Sequence, residues 1–269
     1  MFLGEPSRTA YDLHFNLAGI HVRVHPLFWL VAVIMGLMGG TGPGAGPRIL
    51  IWVAAVFVSI LIHELGHAFT MRYFGEGARV VLYSFGGLAI PDSSPYSLGY
   101  GGRRSPLQQV LISAAGPAAG FALAAIVLGV AYASGATVVY GWLFGVLPFP
   151  LVAEARNIYL QMLFQNMLWV NIFWGLMNCL PVYPLDGGQI SREVFVVNNP
   201  RTGIQQSLWL SIFAAGAAAI AALALMGRDG FFIAILFGSL AFSSYQVLQQ
   251  ISGGGFGGGG GFGGGGRPW

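Results

Sequence analysis

His63, Glu64 and His67 form the run HELGH inside a largely apolar stretch from Ile49 to Phe74. On a helix, residues four apart lie roughly 40° apart around the axis and about 6 Å along it, so both imidazoles point to one side and can share a metal ion. Glu64 is set about 100° round from His63, where its carboxylate reaches a water beside the metal rather than the metal itself. Two imidazoles and a carboxylate buried in hydrocarbon cost several kcal/mol unless they are paired or bind an ion. The residue types and their spacing therefore point to hydrolysis at one catalytic zinc ion, with His63 and His67 as ligands and Glu64 as general base.

A catalytic zinc usually takes three protein ligands and leaves the fourth position to water. Downstream of the motif, Glu76, Asp92, Glu154, Cys179, Asp186, Glu193 and Asp229 could supply the third. Glu76 and Asp92 sit in the adjoining loop, Glu154 and Asp229 fall on the far face, and Cys179 lies at an apolar helix end where a buried thiol is commonplace. Asp186 is the best placed, because Pro181, Pro184, Gly187 and Gly188 break the helix and let the backbone swing a carboxylate back into the bundle. The plainer reading of Asp186 is a solvated turn residue before glycine.

The elements that must position these groups belong to a bilayer. Of 269 residues, 55% are hydrophobic and 8% charged, too few charges to clothe a water-soluble globule of this size. The expected fold is an all-α polytopic membrane protein of about six transmembrane helices with a short membrane-associated β-hairpin or edge strand. The helices are predicted over Leu27–Gly40, which is short, then Ile49–Phe74, Leu107–Ala133, Ile158–Leu180, Gln205–Gly227 and Phe231–Ile251. The last two carry no ionisable side chain and look like packing helices. The series Gly116, Gly120 and Ala124 is a face on which another helix can approach closely. The segment RVVLYSFGGLAIP from Arg79 to Pro91, broken at Gly86 and Gly87, is predicted to form the hairpin. Residues 136–151 hold Gly141, Gly145, Pro148 and Pro150 and read as an interfacial or re-entrant segment. The expected organisation is a single transmembrane domain over 1–251 followed by a flexible glycine-rich tail over 252–269, with no cleavable signal peptide and no insert or tail large enough for a further domain.

The net charge of +3 comes wholly from arginine scattered through loops, which excludes a nucleic-acid face. With six crossings, Arg8, Arg23, Arg72, Arg79, Arg103, Arg104, Arg192, Arg201 and Arg267 share one face against Arg48, Arg156 and Arg228 opposite. The positive-inside rule makes the first face cytoplasmic, so both termini and the active-site face are expected there. If residues 136–151 crossed fully, Asp186 would emerge across the bilayer from the histidines, which favours the re-entrant reading.

HELGH in one span and NCLPVYPLDGG after a later one together resemble the site-2 protease family. The resemblance extends to the run GIHVRVHP before the first span, the Gly-Gly hairpin, the GPAAG run at Gly116–Gly120 and LDGG. It implies an intramembrane zinc metalloprotease of regulated proteolysis, with His63, His67 and Asp186 as ligands and Glu64 catalytic. One departure is that relatives often carry Asn where this chain has Gly120.

The expected partners are a transmembrane protein substrate, the lipid bilayer and separate regulatory membrane proteins. A helical substrate hides its carbonyls, so it must unwind and have its backbone satisfied elsewhere. The strand near Val80–Ile90, with Gly86 and Gly87, is a candidate acceptor by β-augmentation, against the alternative of an interfacial loop packed on the bundle. Asn178 is a further candidate for holding substrate or the LDGG turn, against an ordinary interhelical hydrogen bond. His14, His21 and His25 read as interfacial or structural. Two other functions stay open: a metal or ion transporter or channel using intramembrane His and Glu, and a catalytically inactive membrane-protein binder.

Overall fold

The computed structural model describes residues 5–253 apart from 41, 43, 85, 92–103, 144 and 146. The glycine-rich tail beyond Gly253, and with it most of the 252–269 segment, lies outside the described residues, as does Asp92.

The chain opens with a hairpin, β1 (Leu13–Leu17) and β2 (Ile20–Val24), turned through Ala18 and Gly19, both of which take positive φ. Helix α1 (Pro26–Met38) follows at once, started by Pro26 at its first turn and by the His25 ring, which accepts from the Leu27 N–H at 3.2 Å. Helix α2 (Ala45–Tyr73) begins after Gly44, whose φ of 81° turns the chain. Strands β3 (Ala78–Tyr83) and β4 (Gly86–Pro91) come next, then helix α3 (Pro106–Ala133), capped by Ser105 and Gln108 in a reciprocal box.

Strands β1 to β4 make one sheet in that order, and β2 runs parallel to β3 with His21 opposite Arg79 and Val24 opposite Leu82. This pairing fixes topology: the start of α1 and the end of α2 must lie on the same side. Ile20, Val22, Val24, Val80 and Leu82 are fully buried against Phe28, Ile60, Leu61 and Leu65 of α1 and α2, so the sheet is seated on the helix pair that carries HELGH. Arg23, buried in β2, is matched by Asp12 at 3.0 Å and Glu5 at 3.2 Å, while Arg79 of β3 meets the other Glu5 oxygen at 2.7 Å.

After α3 the chain forms a third hairpin, β5 (Thr137–Leu143) and β6 (Leu147–Glu154), and enters helix α4 (Ile158–Trp169), capped by Asn157. A π turn, Val170–Trp174, links α4 to the short α5 (Gly175–Asn178). Helix α6 (Asp186–Asn198) is polar and short; α7 (Gly203–Met226) and α8 (Phe231–Gly253) pack as an antiparallel pair joined by one 3₁₀ turn.

The six predicted helices are present within a few residues, the polar α6 is an addition to them, and α2, α3, α7 and α8 are long and apolar enough to cross a membrane. The chain is an integral membrane protein built mostly of helix. Three features correct the sequence reading. The expected single hairpin is present as β3–β4, but β1 and β2 extend it to a four-stranded sheet and β5–β6 form a second one; LHFNL and IHVRV alternate apolar and polar residues at the strand period, in runs of only five residues each. The 136–151 segment, read as interfacial or re-entrant, is a hairpin that runs to Glu154; its prolines sit in β6 where they break no helix. In the β3–β4 hairpin the chain turns at Ser84, with φ 47°, and Gly86 and Gly87 belong to β4 rather than to the break.

Candidate metal centre

Helix α2 brings His63 and His67 to one face, as the spacing requires. The bend after α5 brings Asp186 to the same place from more than a hundred residues away. His63 Nε2 lies 3.1 Å from Asp186 Oδ2, His67 Nε2 lies 3.3 Å from Asp186 Oδ1, and the two Nε2 atoms are 3.2 Å apart. All three residues are buried, and one ligand atom from each falls within a sphere of mutual distances no greater than 4.8 Å.

The donor set fits a zinc ion. Ligand atoms held at about 2.0–2.1 Å around a tetrahedral centre stand about 3.3 Å apart, close to the separations observed. His67 Nδ1 donates to the carbonyl of Ile112 at 2.6 Å, which places its proton on Nδ1 and leaves the Nε2 lone pair aimed at the other two donors. Room for the rings comes from α3: a Cβ on Gly116 would lie 2.5 Å from His67 Cε1 and 2.7 Å from His63 Nε2. Gly66 on α2 does the same for the helix contact, since a Cβ there would meet the Ala115 carbonyl at 2.5 Å. The small-residue face of α3 is thus a packing face, and at Gly116 it is also a wall of the site.

Asp186 is held from two directions. Gly187 and Gly188 let the first turn of α6 fold back on the end of α5, because Cβ atoms there would meet Leu180 O and Val182 O at 2.5 Å. Ser211 of α7 accepts from the Tyr183 N–H at 3.0 Å, and Ser244 of α8 donates to the Tyr183 carbonyl at 3.4 Å. Both serines are fully buried. Helices α7 and α8 therefore do more than pack: they tie down the bend that carries the carboxylate.

Glu64 is buried one residue from His63, and β4 lies directly on it. A Cβ on Gly87 would sit 2.7 Å from Glu64 Cδ and 2.9 Å from Oε1, and the carboxylate faces the backbone amide of Ala89. Gly86 has open space around it. Asn178 donates to the Trp174 carbonyl one turn earlier at 3.1 Å. The polar group that faces Gly120 is Asn171 Oδ1, 3.6 Å from a Cβ built there, with the Asn171 amide bonded to Ser59 at 2.8 Å.

Two other third-ligand candidates are held by arginine, and a third stands at the bend itself. Glu76 is paired with Arg104, Glu193 with Arg192, and Cys179 is exposed rather than buried. His25 caps α1, and His14 stacks on His21 at the surface of the first sheet.

The sequence profile of peptidase family M50 matches residues 51–222, well over half of the chain, taking in α2, α3 and the bend with Asp186. The chain belongs to peptidase family M50. A zinc metalloprotease of Methanocaldococcus jannaschii is 23% identical over 186 residues, covering 67% of this chain and 44% of that protein. Rip3 of Mycobacterium tuberculosis is 30% identical over 192 residues, covering 66% of this chain and 42% of that protein. The chain spans less than half the length of these relatives. The solved site-2 protease from Methanocaldococcus jannaschii matches 90% of this chain and 95% of its own at a TM-score of 0.46 and 21% identity.

Proposed function

We propose that this chain is an intramembrane zinc endopeptidase that hydrolyses peptide bonds within or near transmembrane segments of membrane-protein substrates. The observation that carries the reading is the cluster of His63, His67 and Asp186 beside Glu64, all four buried, with both histidines and Glu64 on a helix long and apolar enough to span a bilayer and Asp186 brought to them by the start of α6.

In this reading His63 Nε2, His67 Nε2 and the Asp186 carboxylate hold zinc. Zinc bound there supplies a Lewis acid that polarises a peptide carbonyl and makes a neighbouring water more acidic. Glu64 would take a proton from the attacking water as its oxygen adds to the peptide carbonyl carbon, and would hand that proton to the amine nitrogen as the C–N bond breaks. Ile112 O keeps the His67 tautomer fixed, and the Ser211 and Ser244 bonds keep Asp186 in register. The outer edge of β4 receives the unwound substrate as an added strand, with Gly86 and Gly87 giving its backbone close access to Glu64.

Six crossings are made if α1, 13 residues long, and the continuous α4 to α5 helix also span, with residues 1–251 acting as one domain. The arginine distribution then puts both termini and the metal site toward the cytoplasm. A metal or ion path and an inactive binder have no observation that favours them. The test is Glu64→Gln against His63→Ala in purified protein: the first should keep zinc and lose cleavage, the second should lose both. Full cleavage by the Glu64→Gln protein would overturn the assignment.

A further inference from the structure

We propose that an apolar cavity between α1, α2 and the π turn is the subsite for one bulky apolar side chain of the substrate, about two residues from the scissile bond. The proposal rests on the protease reading above and names what that site selects.

The cavity has a volume of about 70 Å³ and is walled by aromatic and aliphatic groups, among them Ala32, Trp52, Val56, Ile60 and Trp174, with Ser84 at one end. That is room for a single leucine or phenylalanine side chain and too little for a helix about 10 Å across. Three observations tie it to the reaction. Trp52, Val56 and Ile60 follow one another at intervals of four along α2, and the next residue in that row is Glu64. Ser84 is the turn between β3 and β4, so the cavity lies at the end of the strand whose Gly87 rests on Glu64. The walls are apolar, matching the side chains of a transmembrane segment and no polar ligand.

The position follows from two rises. Ile60 lies about 6 Å along α2 from Glu64 at 1.5 Å per residue. An extended substrate strand rises about 3.3 Å per residue with alternate side chains on one side, so two residues separate a carbonyl at Glu64 from a side chain in the cavity. The occupant is therefore leucine, methionine or phenylalanine on the same strand face as the cut.

The test uses the full zinc-loaded chain in proteoliposomes and a single-pass substrate carrying Ala or Phe at each position around a cleavage site located by mass spectrometry. Wild type should prefer Phe over Ala by roughly tenfold or more at one position two residues from the cut and at no neighbouring position. Ala32→Leu, which fills the cavity, should bring that ratio near one, and Trp174→Ala, which widens it, should raise it; zinc content checks that each variant is folded. An unchanged ratio in both overturns the proposal. Independently, a benzophenone side chain at that substrate position, presented to the Glu64→Gln protein, should cross-link to Trp174 or α1; cross-linking elsewhere, or a lipid chain filling the cavity in native mass spectra, also overturns it. Failure of wild type to cleave any substrate strikes the protease reading instead, and the cross-link still reports on the cavity.

Discussion

Gly116→Ala probes the metal centre without touching a ligand. The new methyl would stand 2.5 Å from His67 Cε1 and 2.7 Å from His63 Nε2, about 1 Å inside ordinary carbon–nitrogen contact. One ring must therefore move by roughly 1 Å, whereas a working zinc site tolerates about 0.2 Å. His67 cannot move freely, because its Nδ1–H is bound to Ile112 O at 2.6 Å. Zinc affinity should fall by about 100-fold or more, or about 2.7 kcal/mol, at the upper end of losses from disturbing the groups that orient a ligand. Metal-free stability should change little, since replacing glycine by alanine within a helix gains about 0.5–1 kcal/mol, similar to the net value of one lost hydrogen bond. The assay is competition for zinc with a chromophoric chelator, alongside thermal unfolding of the metal-free form. Wild-type zinc affinity in the Gly116→Ala protein would refute the reasoning.

Ser211→Ala removes the hydroxyl that accepts from the half-buried Tyr183 N–H and should cost about 0.5–1.5 kcal/mol of stability; it should also speed zinc loss to a chelator, whereas Ser59→Ala, which cuts the Asn171 bond remote from the bend, should lower stability without that second effect. Gly87→Ala places a methyl 2.7 Å from Glu64 Cδ and should lower kcat by tenfold or more while zinc content stays at one per chain, read by peptide cleavage and metal analysis. Outside the membrane helices, the Arg79 hydrogen bond holds the Glu5 carboxyl below its usual 4.5, and Thr9, then Arg23, hold Asp12 below 3.8. Carboxylates depressed on folding stabilise above their unfolded pKa and lose that contribution as pH falls through the folded value, so hydrogen-exchange protection of β1 and β2 should drop below about pH 4.5, and less steeply in Glu5→Gln.

Much of the site was legible because its chemistry is local. HELGH puts two imidazoles on one helix face by pitch alone, and Asp186 could be reached because prolines and glycines announce a bend where a carboxylate is costly. The residues that hold those groups could not be read. Ile112 acts through its carbonyl, which every residue has, and Ser211 and Ser244 look like ordinary small polar residues in apolar helices until Tyr183 is placed between them. Gly116 was visible as a packing residue, but its contact with both rings depends on how α3 crosses α2. The apolar helices were legible from their length and the polar α6 was not; β1 and β2 were missed because LHFNL and IHVRV, although they alternate at the strand period, are five residues each and put His14, Asn16, His21 and Arg23 among apolar neighbours, where Arg23 is matched by Asp12, Glu5 and the Pro6 carbonyl.

The central claim is that one zinc ion is gripped by two imidazoles of α2 and the carboxylate of Asp186. X-ray absorption at the zinc edge of the purified, active chain addresses it directly. The expected spectrum shows a nitrogen and oxygen shell near 2.0–2.1 Å with outer scattering from two imidazoles. A sulfur shell near 2.3 Å from Cys179, or a spectrum lacking imidazole scattering, would contradict it.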